Sequence, residues 1–160
     1  MEYQLPFYSM PALRLLGLVL CLWMAGCSGD APRSAADLHV TAVTLPGGET
    51  IRAQMMTHPD DLMRGMKFRD SLPEDQGMLF VHAREDFYRF WMYEVTIPLD
   101  MIWLDRNRKI VQIVHECPPC PGPESACPTY GGAFKAQYIL ELAGGVAKKR
   151  NLKPGMTLQF

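Results

Sequence analysis

The sequence predicts an α+β fold that is β-rich and mostly antiparallel, a small barrel or sandwich with two short helices. Three observations point to it. Residues 38–160 break into short runs rich in β-branched and aromatic side chains. Turn signals separate the runs, and 13 Gly with 13 Pro argue against a helical bundle. Most connections are too short for a crossover, so neighbouring strands pair antiparallel. With 160 residues, 48% hydrophobic and 21% charged, the chain suits one globular domain rather than a disordered polymer.

Residues 38–45 alternate apolar and polar, Pro46-Gly47-Gly48 turns the chain, and residues 50–56 return as the second strand of a hairpin. Residues 57–61 carry a helix start: Thr57 or His58 as cap, Pro59 in the first turn, and Asp60 and Asp61 to suit the dipole. Leu62, Met63 and Met66 form the apolar face of that helix. Gly65 marks its end or a close approach of backbone. Residues 71–77 read as loop. Strands are expected at 78–81, 89–95 and 101–104, and at 110–114 after a turn at 105–109. Residues 116–133 form a loop rich in Pro, Gly and Cys. A strand at 136–142, a basic helix at 145–151 and a strand at 156–160 complete the chain.

The first residues follow another logic. Residues 15–24 carry no charge, and Arg14 stands just before them. A membrane-spanning helix needs about 20 apolar residues, so this shorter run suits the core of a secretory signal. Met24-Ala25-Gly26-Cys27 closes it and resembles the lipobox of bacterial lipoproteins. That resemblance implies cleavage before Cys27, lipid on its sulfur and acylation of its new amine. Several acyl chains together anchor a protein stably. The domain plan is therefore a signal peptide over 1–26, a flexible tether over 27–37 and a globular domain over 38–160. Residues 1–9 carry Glu2 and no base, so Met10 reads as a better start than Met1. Removing residues 1–26 takes away one acid and one base, Glu2 and Arg14, and leaves the net charge of −1 unchanged. Such a balance offers no electrostatic grip on nucleic acid.

Several segments recur in a fixed order: Arg64-Gly65-Met66-Lys67-Phe68-Arg69, Gly77-Met78-Leu79-Phe80, Phe90-Trp91-Met92, Ile97-Pro98-Leu99-Asp100, Ala136-Gln137-Tyr138-Ile139-Leu140-Glu141, then Gly145 and Gly155. Together they resemble the family called domain of unknown function 192, over about residues 40–160. The resemblance implies a compact β-rich domain, often exported. It implies no activity.

The most chemical stretch is residues 115–127. Cys21 leaves with the signal and Cys27 takes lipid, so Cys117, Cys120 and Cys127 remain. One reading is a disulfide, Cys117–Cys127 or Cys120–Cys127, stapling a proline-stiffened loop in an oxidising compartment. A second is a catalytic dithiol at Cys117 and Cys120. Pro121 and Pro123 oppose it, because they forbid the helix that activates such a pair. A third is zinc or copper held by Cys117, Cys120, Cys127 and His115. Met66 and Met78 sit among apolar residues and read as core, not as ligands to copper.

Trp91 and Tyr93 share one face of their strand, with Phe90 and Met92 on the other. Beside Asp100 and Arg64 they form a candidate platform for a sugar or other small ligand. The competing reading buries Trp91 and Trp103 in the core and has Asp100 accept backbone N–H bonds at a turn or pair with Arg64 or Arg69. Glu94, Asp100 and Glu141 supply carboxylates for a hydrolase, but no spacing fixes their separation. Gly-x-Ser-x-Gly, His-Glu-x-x-His and phosphate-cradling glycine loops do not occur. Lys148, Lys149 and Arg150 suit a helix C-terminus or face anionic lipid. The chain thus reads as a lipoprotein of the cell envelope, meeting the bilayer through Cys27 and facing the periplasm or the exterior. It leans away from catalysis and calls for no cofactor. Its expected role is to bind a small ligand or an envelope partner; the alternative is metal handling or thiol chemistry in the cysteine loop.

Overall fold

A computed structural model of the chain describes residues 39–160. The leader, Cys27, the tether and both candidate start residues lie outside the described residues. In chain order the elements are β1 (Val40–Thr44), β2 (Thr50–Met56), α1 (Pro59–Arg64), β3 (Gln76–Asp86), β4 (Arg89–Trp91), β5 (Leu99–Leu104), β6 (Ile110–Cys117), β7 (Thr129–Gly131), β8 (Ala136–Ala143) and α2 (Val146–Lys149). A 3-10 turn covers Glu124–Ala126. Six strands form one sheet in the order β1-β2-β3-β8-β5-β6, and β4 pairs with β7 in a separate ribbon.

The sheet is mostly antiparallel, as expected. β2 and β3 are the parallel pair, and α1 lies in the connection between them. The sheet does not close into a barrel. Its first and last strands are instead linked by the C-terminal segment, expected as a strand. That segment makes isolated bridges, Gln159 to Thr44 and Thr157 to Lys109, so it straps two edges rather than extending one.

Both faces of the sheet are covered, which explains why all six residues of β5 are buried. Leu99, Met101 and Trp103 face a methionine-rich cluster with Met56, Met66, Met78, Met92 and Phe80. Ile102 and Leu104 face the opposite cluster with Val43, Ile51, Leu140, Leu142 and Leu158. Unbranched methionines fill the irregular space where the β4–β7 ribbon and the segment after α1 lie on the sheet.

Three further expectations change. Residues 116–133, expected as loop throughout, contain β7. The strand expected at 89–95 ends at Trp91, because Glu94 takes a left-handed φ of 59° and turns the chain back. Met63, expected on the buried face of α1, is 77% exposed, whereas Asp61 is buried. The helix is six residues long, so it presents a single turn to the core and Met66 reaches that core only from beyond its end.

Candidate functional site

The segment after α1 builds one wall of a cleft. Gly65 adopts φ of 48°, and a Cβ there would lie 3.2 Å from the Phe80 ring. Glycine therefore lets the chain pass close over β3. Two hydrogen bonds hold this segment against the turn after β4: Phe68 N donates to Glu94 O at 3.3 Å, and Thr96 Oγ1 donates to Arg69 O at 2.7 Å.

The resulting cleft has a volume of about 440 Å3, within the usual range for small-molecule sites. Leu62, Met63, Arg64 and Lys67 line it from α1 and the segment that follows, and Phe90, Trp91 and Tyr93 from β4 and the turn after it. Phe80, His82 and Glu141 also line it, from the large sheet. Trp91 is 38% exposed and its ring centroid lies 5.8 Å from that of Tyr93. Trp91 is thus a wall of the cleft, whereas Trp103 is core, fully buried with its Nε1 donating to Tyr88 O at 3.0 Å. Lys67 Nζ lies 5.2 Å from the Tyr93 ring centroid and 6.0 Å from that of Trp91, and 3.2 Å from Glu94 Oε2.

Two titratable groups of the cleft are shaped by burial. His82 stacks on Tyr88 with centroids 3.6 Å apart, its Nε2 is buried without a hydrogen-bond partner, and desolvation pushes its pKa down. The ring is therefore neutral at pH 7. Glu141 is 3% exposed, and its Oε2 has no hydrogen-bond partner. Burial pushes its carboxyl up to about 8, against the opposing pull of Arg69. At neutral pH it is largely a carboxylic acid, able to donate as well as accept. Because its pKa is raised in the fold, ionisation opposes folding as pH rises from the ordinary value of 4.5 toward about 8. Glu141→Gln should therefore raise Tm relative to the parent at pH 8.5, and the difference should shrink to nothing by about pH 4.5. Thermal unfolding followed across that range checks it; a constant difference would remove titration of Glu141 as its cause.

A second cleft of about 480 Å3 adjoins the first and shares Arg64, Gly65 and Lys67 with it. Asp61, Arg69, Asp70 and Ser71 complete its polar lining. Arg69 is held below its ordinary value, first by burial and then by the like charge of Arg64.

Of the candidate platform, Arg64, Trp91 and Tyr93 come together in the cleft, but Asp100 does not. Asp100 lies on the other face of β5, fully buried. Its Oδ2 accepts from Ala147 N at 2.7 Å, and its Oδ1 accepts from Glu116 N at 2.8 Å. It therefore binds the start of α2 and the end of β6 to the sheet, not Arg64 or Arg69. The hydrolase carboxylates scatter likewise, with Asp100 on the face opposite Glu141 and Glu94 paired with Lys67.

The cysteine loop has one disulfide, Cys120–Cys127, with Cα atoms 5.8 Å apart. Cys117 is buried and free, and desolvation pushes its thiol up to about 11. A thiol so protonated is a poor nucleophile, and its would-be partner Cys120 is already bonded. His115 Nδ1 lies 3.8 Å from Asp100 Oδ1. No three His, Cys, Asp or Glu side chains converge as metal ligands among the described residues. Reduction of the disulfide should cost about 2–3 kcal/mol, from the entropy of a short closed loop. Urea unfolding with and without reductant measures it, and an unchanged midpoint would show that the loop contributes nothing.

Sequence reasoning passed over Glu141 as a cleft residue, although an acid within Ile139-Leu140-Glu141-Leu142 is a visible signal. It also left Arg69 outside the platform, although Arg69 stands five residues from Arg64.

Together these features define a β-rich α+β domain with an aromatic-walled cleft beside a central sheet. The sequence model of the DUF192 family, described as "Uncharacterized ACR", matches residues 42–160. The chain belongs to that family. Solved structures share the fold, among them these two. One is a protein of unknown function from Novosphingobium aromaticivorans, 26% identical, with a TM-score of 0.72 over 81% of this chain and 91% of that one. The other, from Sinorhizobium meliloti and described as "a putative transcription regulator", is 25% identical, with a TM-score of 0.69 over 76% of this chain and 94% of that one. No curated protein matches.

Proposed function

We propose that the protein is a lipid-anchored envelope protein whose folded domain holds a small ligand without transforming it. The observation that carries the binding reading is the cleft, which a part-exposed Trp91 and the buried Glu141 both line. Apolar and aromatic walls with a few convergent polar groups are the common makeup of a small-molecule site. The lipoprotein-like ending at Cys27 supports the anchor.

Two measurements test the two parts. Native mass spectrometry of protein extracted gently from membranes should show a retained small molecule, and Trp91→Ala should lose it. A parent protein that flies without any adduct, and whose tryptophan fluorescence is unmoved by a metabolite extract, would overturn the binding part. Cys27→Ser should abolish acyl labelling and move the protein from the membrane to the aqueous fraction. Labelling that survives this substitution would overturn the anchor.

A further inference from the structure

We propose that the first cleft holds an uncharged aromatic compound with one or two hydroxyl groups, its ring against Phe80 and Phe90 and its hydroxyls on the Glu141 carboxyl and the His82 imidazole. This rests on the binding reading above and names the class of ligand. Glu141 Oε2 and His82 Nε2 are both buried without a hydrogen-bond partner, and both residues line this cleft. Buried polar atoms are nearly always paired, so two orphans in one cleft call for a partner from outside the chain.

Both groups stand on the methionine-rich side of the sheet. Glu141 on β8 is opposite Met78 on β3, and Met78, Phe80 and Ile139 belong to that cluster. The His82 ring centroid lies 6.5 Å from that of Phe90, which lies 4.8 Å from that of Phe80. Along β3, Phe80 therefore stands between His82 and the position opposite Glu141. This floor is largely uncharged at neutral pH, because burial holds Glu141 as an acid and His82 as a neutral ring. The charged side chains of the cleft, Arg64, Lys67, Arg89 and Glu124, come instead from α1, the segment after it, β4 and the 3-10 turn. A charged head set on the floor would exchange its hydration for neutral partners. A hydroxyl suits both orphans: it donates and accepts, as a protonated carboxyl does, and it meets either tautomer of His82. Leu62, Met66 and Val95 line the same space. A sugar would leave most of its hydroxyls against such apolar walls, whereas an aromatic ring would not.

Five probes, titrated calorimetrically into the purified protein at pH 7, separate the parts of the inference. They are 2,6-dihydroxynaphthalene, 2,6-dimethoxynaphthalene, 2-naphthoate, 2-naphthylmethylammonium and methyl β-glucoside. The diol should bind about tenfold or more tightly than each of the others. Glu141→Leu should bring the diol down toward the dimethoxy compound, whereas Glu141→Gln, whose amide still donates and accepts, should keep most of the preference. His82→Phe keeps a ring to stack on Tyr88, removes Nε2 and should likewise weaken the diol severalfold. The comparison of probes on the parent protein holds even where a variant does not fold. A dimethoxy compound that binds as well as the diol would show that water alone meets the two orphans, and would overturn the inference. A charged probe or the glucoside binding best would overturn it too, and would leave the small-ligand reading standing. Failure of all five to bind would also overturn it, and the retained-adduct measurement then decides separately whether the cleft binds anything.

Discussion

Gly131→Ala should destabilise the domain by roughly 3–5 kcal/mol, the sum of an overpacked core and a strained backbone. Gly131 closes β7 with φ of 79°, a conformation that costs an alanine. A Cβ there would lie 2.2 Å from Cζ2 of Trp103, which is fully buried on β5. Neither side has room to yield, because Trp103 Nε1 is committed to Tyr88 O and its ring meets Phe90 edge-on with centroids 6.1 Å apart. Urea unfolding checks the loss, and Trp103→Phe should recover part of it in the double variant, because the atoms that clash are those a phenyl ring lacks. A loss below about 0.5 kcal/mol, typical of surface changes, would show that β7 does not rest on Trp103 in solution. Because β7 pairs with β4, which carries Trp91, the same variant should loosen the cleft wall.

Asp100→Ala should cost roughly 2–4 kcal/mol, through one buried and one part-buried amide stripped of their acceptor. Those amides belong to Ala147 at the start of α2 and Glu116 at the end of β6. Asp100→Asn should fall between, since one carbonyl oxygen remains while an amide nitrogen faces a donor. Chemical denaturation gives the order parent, Asn, Ala. If the Ala variant proves as stable as its parent, the carboxylate is not the clasp that the hydrogen bonds indicate. The folded Asn variant should also keep any ligand of the cleft at unchanged affinity, because the sheet stands between Asp100 and that cleft. This outcome separates a positional role from a binding one.

How much of this was legible beforehand differs by element. The hairpin of residues 40–56 was, because alternation and Pro46-Gly47-Gly48 are local signals. The staple was half legible: three thiols and a stiff loop required a choice of partner, and only geometry selects Cys120 over Cys117. Trp91 and Trp103 look alike in sequence, yet one is a cleft wall and the other is core. Each lies in a short strand, and which of them is covered depends on where β7 returns, some 30 residues later. Asp100 was legible as an unusual acid, and of its two expected kinds of partner the backbone N–H groups are the ones it meets. Which amides they are, those of Glu116 and Ala147, no side-chain pattern advertises.

The linear chain alone determined the class of fold, the places where it turns, and which residues are chemically out of keeping with their neighbours. Those properties are set by steric preference and by the period of hydrophobicity over a few residues. Only the folded chain decided that Arg64, Trp91, Tyr93 and Glu141 meet while Asp100 faces away, and that the C-terminal segment straps two edges instead of forming a strand. Such matters turn on which face of a sheet a residue takes and on which distant strand lies beside it. Both are settled by packing the whole core at once, and no short stretch of sequence contains that information.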